Sequence, residues 1–175
     1  MDLLKSLKQY IDSQKAVSLY FMIFGFLLLC LSAGAFFFAK DDRLINGLFW
    51  GSLFSGVFVM LSGVLYGKKN VNIINDNEAI YSSNKALFLK NESTRMHRVL
   101  RHHSKYQTIF TVIIILVIGV ILSFKNAFLA GICTAISIQI SGIMIIGAIS
   151  KPSISGYYQE LREAHSSNFI LQDIE

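Results

Sequence analysis

The chain has 175 residues, of which 53% are hydrophobic and only 15% are charged, and its formal net charge is +5 at pH 7. Its mean hydropathy is +0.52, which lies outside the usual range of a soluble domain of this size. This composition excludes an ordinary soluble protein and indicates an integral membrane protein.

Four apolar runs are long enough to cross a bilayer. A spanning helix needs about 20 apolar residues to cross a hydrocarbon core of about 30 Å. Runs without Asp, Glu, Lys, Arg or His cover residues 16–39, 45–66, 107–124 and 127–150. Because each run is apolar on every side, the alternating strands of a β-barrel do not fit. The sequence therefore predicts an all-α fold, a four-helix transmembrane bundle of two tandem parallel hairpins, residues 16–66 and 107–150, with amphipathic cytoplasmic helices.

Residues 1–15 form a charged leader ahead of the first run. Its apolar positions Leu3, Leu7 and Ile11 share one helical face, which predicts an amphipathic helix lying on the membrane surface. The small residues Ala33-Gly34-Ala35 allow a signal-peptide interpretation of the first run. Because the leader is long and the run continues through Phe36 to Phe38, we expect an uncleaved first helix.

The distribution of positive charge predicts the orientation. Thirteen of the sixteen lysines and arginines lie in the leader, in the central segment 67–106 and in the tail 151–175, and three lie in the two short connections. Lys and Arg accumulate on the cytoplasmic side of spanning helices. We therefore expect a protein of the cytoplasmic (inner) membrane with both termini and the central segment in the cytoplasm.

The two hairpins show a possible internal repeat. A shift of 84 positions places Gly47, Met60 and Gly63 on Gly131, Met144 and Gly147. Such a repeat would be parallel, related by an axis along the membrane normal. Apolar runs also produce such matches by chance, so duplication and coincidence both remain open.

Small residues in the second and fourth runs predict helix-packing faces, because helices in lipid associate where small side chains let backbones approach. These candidate packing or pore positions are Gly47, Gly51, Ser55, Gly63, Gly131, Ala135, Gln139 and Gly142. Gln139 is the most polar side chain in the four runs, and a buried amide needs a partner. It is interpreted either as an interhelical hydrogen bond to a residue such as Ser55, or as the lining of a pore with Ser55 and Ser141.

The central segment 67–106 contains a basic amphipathic stretch. From residue 93 to residue 106, apolar side chains share one helical side and basic ones share the other, and Ser93 is the expected N-cap. The basic face comprises Arg98, Arg101, His102 and Lys105. Each basic residue near an anionic leaflet contributes about 1 kcal/mol, so this face is expected either to bind lipid head groups or an acidic partner, or simply to fix the topology.

The sequence holds no recognisable enzyme motif, so no catalytic residue, cofactor, metal site or nucleic-acid partner is expected. His97, His102 and His103 spread over both faces of a helix, and a lipid-directed enzyme would require them to converge with Glu78 or Glu92. No Asp, Glu, Lys, Arg or His lies within the four runs, which argues against a proton-driven pump.

The layout from Arg95 to Phe124, an amphipathic helix that leads into a tight hairpin, and weakly the stretch from Arg162 to Asn168, resembles the two-helix effector modules of bacterial nucleotide-signalling defence systems. Those modules have a single hairpin and usually accompany a sensor domain, whereas this chain has two hairpins. Small four-span immunity proteins are similar in size and topology. The sequence therefore favours a non-enzymatic protein that works by association with itself or with another membrane protein, as a membrane-complex subunit or an immunity or defence-type component. An oligomeric channel or an uncoupled carrier of small solutes is the alternative.

Overall fold

The computed structural model describes residues 3–38 and 42–172. Within these residues the chain forms four helices, α1 (Leu3–Phe38), α2 (Arg43–Ser83), α3 (Lys85–Ser123) and α4 (Ala127–Gln172). All four are long and apolar enough to cross a membrane, so the predicted all-α fold with four spanning helices is confirmed. The shortest has 36 residues, about 54 Å at 1.5 Å per residue, so every helix extends beyond a hydrocarbon core of about 30 Å.

Short polar side chains fix where the helices begin. The Asp42 carboxylate accepts hydrogen bonds from the backbone N–H groups of Leu44 at 2.7 Å and Ile45 at 3.3 Å, which caps α2. The Asn126 side chain accepts in the same way from Phe128 at 3.0 Å and from Leu129 at 3.3 Å, ahead of α4. These caps satisfy N–H groups that have no partner within a first helical turn.

The central segment is two helices joined by one residue, not a loop that carries one short helix. Asn84 is extended, ends α2 and caps α3 by accepting from the Leu87 N–H at 3.0 Å. The expectation that Ser93 caps this helix is therefore wrong, because Ser93 lies inside α3. Asn84 can cap α3 because its own backbone is extended and its short side chain reaches a backbone N–H group of the first helical turn.

The helices pair in opposite senses on the two sides of α2. Gln14 contacts Tyr66 and Ser32 contacts Phe49, so α1 and α2 run antiparallel. By contrast, α2 and α4 run parallel, since Gly51 meets Ala135 and Ser55 bonds Gln139. The helix α3 packs chiefly along α4 at one end of the bundle.

This end of the bundle, the polar end, comprises residues 3–15, 67–106 and 151–172. Its core is built from apolar side chains of α1, α3 and α4: Leu3, Leu7, Tyr10, Ile11, Phe88, Leu89, Met96, Ile154, Tyr157 and Leu161. The leader continues into the first span without a break, and Leu7 and Ile11 are almost completely buried in this core. The expected surface-lying leader helix is therefore wrong, because its apolar face packs against α3 and α4.

The apolar half of α3 differs from the other spans. None of the 18 residues in its most apolar stretch is buried, whereas 22% to 33% of the corresponding stretches of α1, α2 and α4 are. Its exposed side chains include Ile115 and Leu122, the latter 80% exposed. The apolar stretch of α3 is thus the least buried of the four.

Candidate functional site

The small residues of α2 and α4 bring these two helices into close backbone contact. A Cβ atom added to Gly51 would lie 2.7 Å from the Cβ of Ala135. A Cβ on Gly47 would collide with the carbonyl group of Phe128, and one on Gly131 would collide with the backbone of α2. Glycine is therefore required at both positions by the separation of the helices, as expected for packing in lipid.

Ser55 and Gln139 extend the same contact toward the polar end. The Ser55 hydroxyl donates to the Gln139 side-chain oxygen at 2.8 Å, and Ser55 is buried. Ser141, the third residue of the possible pore, is exposed on α4 and lies two positions from Gln139. Successive helical residues are about 100° apart, so these two side chains point in widely different directions. The structure thus places Ser55 and Gln139 together and Ser141 apart from them.

Gly63 and Gly142 contact α1 instead of joining α2 to α4. A Cβ on Gly63 would lie 3.0 Å from side-chain atoms of Phe21 and Met22, and the Gly63 carbonyl accepts a hydrogen bond from the Ser18 hydroxyl at 2.7 Å. The space beside Gly142 is filled by the ring of Phe24. These two glycines therefore accommodate bulky side chains of α1.

The basic face lies on the surface of the polar end. Arg98, Arg101, His102 and Lys105 are all exposed on α3. A ring nitrogen of His102 lies 2.8 Å from the Arg98 carbonyl oxygen one turn earlier. The guanidinium and ammonium groups of this face are thus accessible to ligands that carry negative charge.

The three histidines of α3 occupy different surroundings. The Tyr158 hydroxyl lies 3.4 Å from Nδ1 of His97, whereas His103 faces Gly147 of α4. Burial lowers the pKa of His103, and the charge of Lys151 lowers it further. Within the described residues, no three His, Cys, Asp or Glu side chains come close enough to hold a metal ion. The side chain of Glu78 lies outside the described part of the structure.

A buried ion pair lies in the core of the polar end, and sequence reasoning missed it. Glu92 is 2% exposed, and Arg95 holds it through two hydrogen bonds, from Nε at 2.7 Å and from Nη2 at 2.5 Å. The Glu92 carboxylate also accepts from the Tyr157 hydroxyl at 3.2 Å and from the Asn77 amide at 3.4 Å. A buried charge needs such pairing to offset its desolvation.

A signal for this network was present in the sequence. Phe88, Leu89 and Met96 lie four and three residues before Glu92 and four residues after it, so Glu92 occupies the middle of an apolar helical face. Arg95, three residues on, is within reach of its carboxylate. A charged residue in the middle of an apolar face, with an opposite charge at this spacing, predicts a buried ion pair.

Aromatic side chains connect the ion pair to α1. The rings of Tyr10 and Tyr157 stack with centroids 4.8 Å apart, and the Arg95 guanidinium lies 5.7 Å from the Tyr10 centroid. Burial raises the pKa of Tyr157, and the neighbouring Glu92 charge raises it further, so the phenol stays a neutral donor. The network links all four helices, through Tyr10 of α1, Asn77 of α2, Glu92 of α3 and Tyr157 of α4. Its hydrogen bonds and ring contacts join these helices to one another.

Comparison with known proteins adds no relative. The sequence matches no family model, and no curated protein or solved structure is significantly similar to it.

Proposed function

We propose that this chain is a non-enzymatic multi-pass membrane protein that acts by association, with α3 as its contact helix. It would serve as a subunit of a membrane complex, or as an immunity or defence-type component. The observation that carries this proposal is the absence of buried residues from the most apolar 18-residue stretch of α3, whereas 22% to 33% of the corresponding stretches of the other three helices are buried.

A glycine marks the side of α3 on which a partner helix would pack. A Cβ on Gly119 would meet no heavy atom within 4 Å, in contrast to Gly47 and Gly131, which lie against backbone. Ile115, Gly119 and Leu122 follow helical spacing and share one side of α3. Because small residues let backbones approach in lipid, this side suits a second transmembrane helix, such as that of another copy of this chain.

The basic face continues α3 beyond the bilayer. Arg98, Arg101, His102 and Lys105 are exposed directly before the apolar half of the same helix. With the polar end in the cytoplasm, these groups would lie beside anionic lipid head groups, each basic residue contributing about 1 kcal/mol. One helix thus offers an apolar contact in the membrane and a basic contact at its surface.

The polar groups inside the spans support association more than conduction. Ser55 bonds Gln139, Ser18 bonds the Gly63 carbonyl, and the Ser32 hydroxyl donates to the Phe49 carbonyl at 3.1 Å. Each of these groups is satisfied by another helix of the chain. A polar path through the protomer would need such groups to face water instead.

The test is the mass and composition of the protein extracted from its membrane in mild detergent, by light scattering and mass spectrometry. One protomer is 19.6 kDa. We expect a homo-oligomer or a stoichiometric complex with one membrane partner, which Gly119→Leu dissociates. Gly34→Leu is the matched control, because a Cβ on Gly34 also meets nothing within 4 Å but lies on α1. A single protomer without a partner would overturn the proposal, as would a complex that Gly119→Leu leaves intact.

A further inference from the structure

A small polar cleft lies between α1 and α4 at the polar end. Its volume is about 150 Å³, and its walls include Ser6 and Gln9 of α1 and Ser153, Gly156 and Glu160 of α4. At about 30 Å³ per water molecule, it would hold a group of roughly five heavy atoms. The cleft is separate from the basic face, which lies on α3.

Glu160 gives the cleft its charge. Its Oε2 atom is buried and accepts no hydrogen bond, unlike the carboxylate of Glu92. Among the residues that line the cleft, all within the described structure, Glu160 alone carries a charged side chain. A buried carboxylate oxygen without a donor is costly, and positive charge in the cleft beside Glu160 would lower that cost.

The other walls suit the same kind of ligand. The hydroxyls of Ser6 and Ser153 and the amide oxygen of Gln9 can accept hydrogen bonds. Tyr10 and Tyr157, stacked on each other, complete the lining as an apolar wall. The space beside Gly156 is open, since a Cβ there would meet no heavy atom within 4 Å.

We propose that this cleft binds a compact organic cation, a primary ammonium or guanidinium group, with Glu160 as its counter-ion. The group has two possible sources, a free small amine or the head group of an ethanolamine lipid. Ser153 lies three residues after the fourth apolar run, about 4.5 Å along the helix, so a head group at the membrane surface can reach the cleft. This inference does not depend on α3 or on the proposed association.

In the first arm of the experiment, the purified full-length protein in detergent is titrated with agmatine, ethanolamine and tetramethylammonium. Calorimetry measures the binding of each cation. Native mass spectrometry with ethanolamine and choline lipids forms the second arm. We expect saturable binding of the N–H-bearing cation in one arm at least, and none of tetramethylammonium or choline lipid. The arm that binds identifies the source of the group.

Two variants locate the site. Glu160→Gln keeps the shape of the side chain and should weaken binding at least about tenfold, the usual scale for loss of one charge-assisted hydrogen bond. Gly156→Leu should abolish binding by filling the cleft, and it replaces a helical glycine with a better helix former, so the fold is retained. Gly34→Leu, in open space elsewhere, should bind as the wild type does. Absence of binding in both arms, equal binding of the choline group, or binding that Gly156→Leu leaves unchanged would overturn the proposal.

Discussion

The hydroxyl of Ser55 donates to the side-chain oxygen of Gln139 at 2.8 Å, and the two residues are 84 positions apart. Gly47 and Gly131 meet with the same separation, as do Gly51 and Ala135. Three successive contacts at one separation require α2 and α4 to lie parallel and in register. A parallel repeat around an axis along the membrane normal would place each position of α2 against its equivalent in α4. Parallel packing in register gives such contacts whatever the origin of the two hairpins, so the duplication stays a prediction of the sequence.

Removal of the Ser55–Gln139 hydrogen bond should destabilise the bundle modestly. Such bonds in membrane proteins average about 0.6 kcal/mol and reach about 1.7 kcal/mol. We expect Ser55→Ala and Gln139→Leu each to lower the free energy of unfolding within this range. The double variant should lose less than the sum of the two, because both single changes remove the same bond.

Reversible unfolding in mixed micelles provides the measurement, and additive effects would contradict the bond. The same Gln139→Leu protein in planar bilayers tests the channel alternative. A wild-type conductance that this variant abolishes would favour an oligomeric pore over an association protein.

Gly131→Leu should prevent α2 and α4 from packing. Its new side chain would meet the carbonyl of Leu44 and the backbone at Gly47 and Leu48, which cannot move aside as a flexible side chain can. Overpacking typically costs about 1–3 kcal/mol and more where backbone must shift, so we expect a large loss of thermal stability. Fluorescence-detected size exclusion after heating measures it, with Gly34→Leu as the control that should retain the wild-type profile. Equal stability of the two variants would show that the helices are farther apart.

Leu7→Ala should destabilise the protein strongly for a residue so near the N-terminus. Leu7 is 0% exposed in the core of the polar end, and truncation of a buried leucine costs about 2–5 kcal/mol. Leu87→Ala is the matched control, since Leu87 is 47% exposed at the same end. Chemical unfolding followed by tryptophan fluorescence of Trp50 compares the two. A leader that merely lies on the membrane would instead give two variants of similar stability.

Arg95→Met should be among the most damaging single changes. It would leave the Glu92 carboxylate buried without its main partner, and breaking a buried pair in this way costs about 3–5 kcal/mol. The double variant Glu92→Leu with Arg95→Met should recover most of that loss, because no charge then stays buried. Arg98→Met, at an exposed position, should have little effect on the unfolding midpoint. A double variant as unstable as Arg95→Met alone would contradict this account.

Charge reversal of the basic face should alter lipid selectivity without unfolding the protein. Arg98→Glu with Arg101→Glu removes two attractive groups of about 1 kcal/mol each, so preference for anionic over zwitterionic lipid should fall at least about thirtyfold. Spin-labelled phosphatidylglycerol and phosphatidylcholine report this preference in reconstituted bilayers. Lys125→Glu, between α3 and α4 at the other end of the bundle, is the matched control. Unchanged selectivity in the double variant would leave the basic face as a topology anchor only.

The contacts of the polar end depend on tertiary structure. The amphipathic pattern of the leader fits both a membrane surface and a protein core, and only its position beside Phe88 and Tyr157 decides for the core. The sequence did not show which residues pack against Gly63 and Gly142, because a glycine allows a close approach without indicating which side chain makes it. The cleft beside Glu160 forms between residues of α1 and α4, which are far apart in the sequence.

The sequence by itself determined the four helices and their apolar spans. Exclusion of charge from about 20 successive residues is a local property, since the desolvation of each charged side chain in lipid is costly whatever its neighbours are. It also located the small residues and the exposed basic positions such as Arg98. Tertiary structure alone decided that Glu92 is buried against Arg95 and Tyr157, and that no residue in the most apolar stretch of α3 is buried. The physical reason is that burial of a polar group is possible only when partners from distant parts of the chain supply its hydrogen bonds.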